Sequence, residues 1–254
     1  YVYGVLIDVT QGHDGNVWFT EGPANKIGRI SPEGEFVEFA APGYPWGITP
    51  GPDGNLWFTQ RTAGAIGRIT PTGIVTTFRI PTLESSPYTI VAGPDGNLWF
   101  TEFRSTPGPG IGKITPSGVI TEFNVRGYQL EGIVAGPDGN VWFTESHPGL
   151  IGRITPAGVV TEFDLKDITL YPFGICRGPD GALWFTNWNA RGVGRITTSG
   201  AVTLFPGPNV NMTGIVPGPD GALWCRSTYA LVRFGTDGAW SQVATPPRLY
   251  SDYV

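Results

Sequence analysis

Three carboxylates, Glu102, Glu131 and Glu145, and one histidine, His147, are the residues whose types and positions could do chemistry. Two or three carboxylates meeting with open positions would suit Mg²⁺ or Ca²⁺, and a carboxylic acid with a raised pKa could move a proton. His147 follows Glu145 by two residues in Ser146-His147-Pro148-Gly149, so it is placed to reach the same region as an acid/base group, as is Glu131. Trp46, Tyr88, Phe173 and Trp188 offer aromatic platforms, and Gln60, Asn187 and Arg226 offer polar contacts. A plainer reading of the glutamates is that each caps a strand, since Glu21 holds the same place in the first repeat. His13 replaces a turn Pro and is expected to have no catalytic part.

These positions are set by a repeat. Trp18, Trp57, Trp99, Trp142, Trp184 and Trp224 lie 39, 42, 43, 42 and 40 residues apart, each in a version of Gly-Pro-Asp-Gly-Asn-Leu-Trp-Phe-Thr-Glu. Each repeat holds four short apolar pieces, a to d, shown in the fourth by 132–134, 141–144, 151–154 and 159–163. Their β-branched and aromatic content and the Pro-Asp-Gly-type turns between them mark strands. Four antiparallel strands per repeat, repeated six times, predict an all-β, six-bladed β-propeller in a single domain. The blades fall at about 1–42, 43–84, 85–127, 128–169, 170–209 and 210–254.

Spacing separates the two faces of the disc. The strand-a position (Gly47, Thr89, Gly132, Gly174, Gly214) precedes the next Trp by 10 residues, and the strand-c position precedes strand d by 12 in every repeat. Length varies only in the b–c and d–a connections, whose d-to-a distances run 8, 11, 9, 11 and 9. Loops that vary on one face usually mark the binding side, here the top. Two rings should border it: the residues before the strand-a position (Ile7, Trp46, Tyr88, Glu131, Phe173, Thr213) and the ends of strand b (Glu21, Gln60, Glu102, Glu145, Asn187, Ser227). Glu102, Glu131 and Glu145 should then converge on one sector. The strand-c cations, Arg29, Arg68, Lys113, Arg153, Arg195 and Arg233, are expected to pair across strands with Glu38, Glu122 and Glu162.

Composition narrows the partners. Sixteen Lys and Arg against 21 Asp and Glu give a net charge of −5 with no basic run, which argues against nucleic acid. Apolar runs such as 4–7 fall far short of the roughly 20 residues that span a bilayer. The expected partner is a small molecule, peptide or glycan bound by a monomer. Cys176 and Cys225 are expected to be buried small hydrophobes. Tyr1 to Leu6 and the tail 248–254 are extra to the six strand sets and are expected to lash the first blade to the last. Localisation stays open, with a secreted or periplasmic place favoured over the cytoplasm.

The stretch Gly-Ile-Val-Ala-Gly-Pro-Asp-Gly-Asn-Val-Trp-Phe-Thr-Glu (132–145), with 151–156 and 159–163 after it, resembles the streptogramin lyases of the virginiamycin B lyase type across all six repeats. The resemblance implies a β-propeller and Mg²⁺-assisted elimination at the ester of a macrocyclic depsipeptide, with glutamates holding the metal and a histidine as base. Carried over by position, Glu102 and Glu145 match the metal-binding glutamates, and Glu131 stands where the family places a catalytic His. No residue before a strand-a position here is His. Ligand binding without catalysis and a divalent-metal lyase or hydrolase using Glu102, Glu131 and Glu145 are both open.

Overall fold

A computed structural model describes residues 5–103, 108–165, 170–189, 192–227 and 230–243. Short β-branched and aromatic runs closed by Gly turns leave no room for long helices, and each repeat forms one four-stranded antiparallel sheet. In blade 4, strand a is Tyr128–Ala135, b Val141–His147, c Leu150–Ile154 and d Val160–Asp164. The six sheets form a six-bladed β-propeller, with strand a of each nearest the axis: Leu6–Gln11, Pro45–Pro50, Pro87–Ala92, Tyr128–Ala135, Pro172–Arg177 and Met212–Pro217. Among the described residues no helix is long and apolar enough to cross a membrane. The expected blade-tying role of Tyr1 to Leu6 and 248–254 falls largely outside the described residues.

The a–b turn does more than turn the chain. Its Asp accepts the indole N–H of the Trp four residues on, at 3.0 Å from Trp99 to Asp95 and 3.0 Å from Trp142 to Asp138. Asp95 also accepts Asn97 Nδ2 at 2.8 Å. Partial burial opposes the charged form of Asp95, but the bonds from Trp99 and Asn97 outweigh it and hold the carboxyl below its ordinary value. An otherwise orphaned indole N–H can thus sit in a core where Trp18, Trp57, Trp99, Trp142 and Trp184 are fully buried.

The strand-c cations do not pair with the strand-d glutamates as expected. Register explains it: Arg29 lies opposite Val37, while Glu38 lies opposite Gly28, so the two side chains leave opposite faces of the sheet. Arg29 lies over the Trp18 ring at 5.5 Å and donates to the carbonyl of Pro71 in the next blade at 2.8 Å. Arg68, Lys113 and Arg153 repeat the arrangement with Pro116, Pro156 and Thr198. Arg195 and Arg233 turn instead to the Asp180 and Asp220 of their own blades.

Blades adhere through one recurring core. Trp142 and Ile151 of blade 4 pack on Ile175, Leu183, Phe185 and Ile196 of blade 5. Homologous sets join blades 1 and 2, 2 and 3, 3 and 4, and 5 and 6. Burial of each such side chain contributes about 1.5–3 kcal/mol. Cys176 and Cys225 are both buried in the core between blades 5 and 6, and burial pushes each thiol up to about 12.

Candidate functional site

Every strand a carries a bulge near its upper end. The register shifts between Leu6 and Val9, Pro45 and Ile48, Leu130 and Ile133, and Pro172 and Ile175. A bulge re-aims side chains, and here it turns the residue before the strand-a position toward the axis. The strand-b Thr below satisfies the bulged backbone: Thr144 Oγ1 accepts Gly132 N–H at 2.8 Å and donates to the Phe173 carbonyl of the next blade at 2.7 Å. Thr20 and Thr59 do the same for Asp8 and Trp46, and for Gly47 and Tyr88. The Thr of the repeat motif therefore fixes the pocket wall without entering it.

The result is an axial cavity of about 350 Å³ lined by Trp46, Tyr88, Glu131, Phe173, Thr213 and Arg226, with Asp8 on the blade-1 side. Trp46 and Tyr88 pack at 4.9 Å between centroids, flanked by Tyr44 and Phe103. Phe173 leans on Trp188 at 5.7 Å. A side cavity of about 180 Å³ runs past Ser146 and Tyr171 to Trp188 and shares Glu131 and Phe173 with the axial one. Glu131 is thus the carboxylate common to both.

Glu131 is buried, and its Oε2 has no hydrogen-bond partner among the described residues. Burial lifts its carboxyl to about 7, against the lowering effects of the Tyr88 hydroxyl, which donates to it, and of Arg61. Burial first, and Glu131 second, also raise the Tyr88 phenol. Arg61 lies over Trp46 at 4.7 Å and over Tyr88 at 5.4 Å, so a guanidinium backs the aromatic wall. Asp8 accepts Ile48 N–H at 2.9 Å across the blade junction, and its carboxyl is raised chiefly by burial.

Most of the strand-b ends do not join this pocket. Gln60 donates to the Pro42 carbonyl at 2.6 Å, Glu102 accepts Ser85 Oγ at 2.6 Å, Glu145 accepts Gly127 N–H at 2.6 Å and Asn187 accepts Tyr171 N–H at 2.8 Å. All four are buried, and each ties down the d–a loop that leads into its own blade. Strand alternation explains the placement: the Thr before each of them faces the axial bulges, so the next residue faces the other way. The expected convergence of Glu102, Glu131 and Glu145 is therefore not found. Among the described residues no group of three His, Cys, Asp or Glu is arranged to hold a metal ion, and these glutamates do not fit a shared Mg²⁺ or Ca²⁺. His147 is wedged between Tyr128 at 5.2 Å and Tyr171 at 4.6 Å, and it lines neither cavity.

One lining residue, Asp8, and one residue behind the wall, Arg61, escaped the sequence reading. Asp8 stands 10 residues before Trp18, the strand-a spacing, so its place was legible although its type differs from the Gly or Thr elsewhere. Arg61 had no repeat signal, because it sits in a top loop of variable length.

Comparison with known proteins adds a lineage. The profile of the Virginiamycin B lyase family matches residues 4–129 and 108–248. The selenomethionine-substituted virginiamycin B lyase from Staphylococcus aureus superposes with a TM-score of 0.89 at 34% identity, over 96% of this chain and 86% of that one. A streptogramin B lyase structure gives 0.88 at 31% identity, over 96% and 84%. A catalytically inactive histidine-to-alanine variant of the Staphylococcus aureus virginiamycin B lyase with quinupristin gives 0.83 at 37%, over 89% and 78%. Among curated proteins there is no significant match.

Proposed function

Because the chain belongs to the virginiamycin B lyase family, we propose that its axial pocket binds a compact peptide or other small molecule bearing aromatic groups, of the streptogramin B kind. The observation that carries this is Glu131: a buried carboxylate with an oxygen unpartnered among the described residues, framed by Trp46, Tyr88 and Phe173 at the axis. Such a group leaves a polar ligand atom the means to replace water, while the aromatic wall stacks the ligand and orients it. Arg226 adds a positive charge to the lining, and Asp8 lines the blade-1 side. Trp188 lines the side cavity and can hold a ligand arm there. Gln60 and Asn187 act through the loops they anchor, with no direct contact to the ligand.

Calorimetric titration with quinupristin tests this. Trp46→Ala should weaken binding by about ten- to a hundredfold, since stacking on one aromatic contributes about 1–3 kcal/mol. The variant should still unfold cooperatively, because Trp46 is partly exposed and lies outside the cores that join blades 1 and 2 and blades 2 and 3. Equal affinity in both proteins would contradict the reading.

The raised carboxyl of Glu131 supports a second reading, in which the bound ligand is also opened by elimination. Glu131 in its basic form takes the proton from carbon, a C=C bond forms and the ester C–O bond breaks, so that the acyl oxygen leaves as carboxylate. Tyr88 donates to Glu131 and fixes the direction of its lone pairs, and Arg61 favours its charged form. Among the described residues this route finds no metal ligand set, and no step is drawn through one.

A further inference from the structure

Around the axis the inner strands set Trp46 on blade 2, Tyr88 on blade 3, Glu131 on blade 4 and Phe173 on blade 5. Glu131 therefore stands between two aromatic pairs, Trp46 with Tyr88 at 4.9 Å and Phe173 with Trp188 at 5.7 Å. Tyr171 joins the second pair in the side cavity. The face of an aromatic ring is electron-rich, so rings and carboxylate favour the same occupant, a cation.

The two carboxylates that line the axial cavity differ in how their charge is met. Asp8 accepts Val9 N–H and Ile48 N–H, each at 2.9 Å, so backbone dipoles hold it. Glu131 is 8% exposed and forms no ion pair among the described residues; the Tyr88 hydroxyl donates to it, and its Oε2 has no donor among those residues. Neither nearby arginine supplies the missing charge at close range. Arg61 lies behind the wall, over the Trp46 and Tyr88 rings, and Arg226 is exposed on blade 6, beyond Phe173. Ionising a carboxyl that stays buried and unpaired is costly; a bound ammonium offsets that cost, whereas a neutral ligand leaves it in place.

We propose that the ligand of this pocket carries a protonated amine, seated at Glu131 where the axial and side cavities meet, beside an aromatic group held by Trp46 and Tyr88 or by Phe173. The proposal rests on the axial pocket being the ligand site, and it adds the sign of charge that the ligand brings. Glu131 and Phe173 line both cavities, so the amine reaches the carboxylate from either one. An anionic ligand would turn instead to Arg226. The preference among cation, neutral group and anion is thus the property to measure.

Calorimetric titration of the full chain with tryptamine, tryptophol and indole-3-acetate tests this, because the three probes put an ammonium, a hydroxyl and a carboxylate on the same indole. Tryptamine should bind tighter than tryptophol by about tenfold or more, and indole-3-acetate should bind most weakly. Quinupristin should displace tryptamine. Glu131→Gln should bring tryptamine down to the affinity of tryptophol while leaving that of tryptophol unchanged, which also shows that the variant is folded. Tryptophol binding as tightly as tryptamine to wild type, or indole-3-acetate binding tightest, would overturn the amine and leave the pocket as the ligand site. So would failure of all three probes where quinupristin still binds. Failure of quinupristin as well would overturn the pocket reading itself, and the amine with it.

Discussion

Glu145→Gln is expected to flatten the fall in stability expected of the wild-type protein between pH 5 and pH 9. Burial first, and the neighbouring Glu162 second, lift the Glu145 carboxyl to about 8, against the lowering effects of Gly127 N–H and Arg126. In the unfolded chain the same group ionises near its ordinary value of 4.5. Between these two values the folded protein holds a proton that the unfolded chain has released, so folding weakens as pH rises and the loss is complete above about 8. A shift of this size corresponds to about 3 kcal/mol at pH 7 and about 5 kcal/mol at pH 9. Gln keeps an acceptor for Gly127 but introduces a buried N–H, a cost that does not vary with pH. The diagnostic is therefore the slope: the melting temperature of the variant minus that of wild type should grow by roughly 10 °C from pH 5 to pH 9. A constant difference would show that Glu145 does not titrate in this range. Glu131 adds a smaller loss of the same sign, finished near 7. The turn aspartates act oppositely, since their lowered values stabilise the fold above the ordinary carboxylate range and that contribution disappears below about pH 4.

The second large effect concerns turnover. If Glu131 is the base, the rate of quinupristin ring opening by wild type should rise with pH through about 7 and then level, as the carboxyl ionises. Glu131→Gln should lower that rate by about 10²–10⁴, the usual contribution of a positioned acid/base group. Mass spectrometry of the reaction mixture follows the opened product. An unchanged rate, or one with no inflection near 7, would remove Glu131 from the chemistry while leaving binding intact. A His147→Ala variant provides the contrast: wedged between Tyr128 and Tyr171 outside both cavities, it should leave the inflection in place.

The architecture was legible because the repeat states it several times over. The fixed interval from strand a to Trp and the Pro-Asp-Gly turns define the blades, and a misreading in one repeat is corrected by the other five. The inner ring was legible for the same reason, which is how Trp46, Tyr88, Glu131 and Phe173 could be placed at the axis. The strand-b ends were not, because position along a strand says which residue is near the top but not which way it faces at a bulge. Glu102 and Glu145 look like ligands in sequence and prove to be loop anchors, with Ser85 and Gly127 as partners. The strand-c cations failed similarly: Arg29 and Glu38 are near in strand pairing but one residue out of register, which puts them on opposite faces. Arg61, whose stacking on Trp46 and Tyr88 shapes the pocket wall, comes from a loop with no repeat to compare, so only three-dimensional contact reveals it.

The most direct measurement is a crystal structure of the protein soaked with quinupristin. If the axial pocket is the ligand site, density is expected at the axis, with an aromatic group of the ligand against Trp46 or Phe173 and a polar atom within hydrogen-bonding distance of Glu131 Oε2. Ligand density elsewhere on the surface, with the axial cavity holding only solvent, would contradict it.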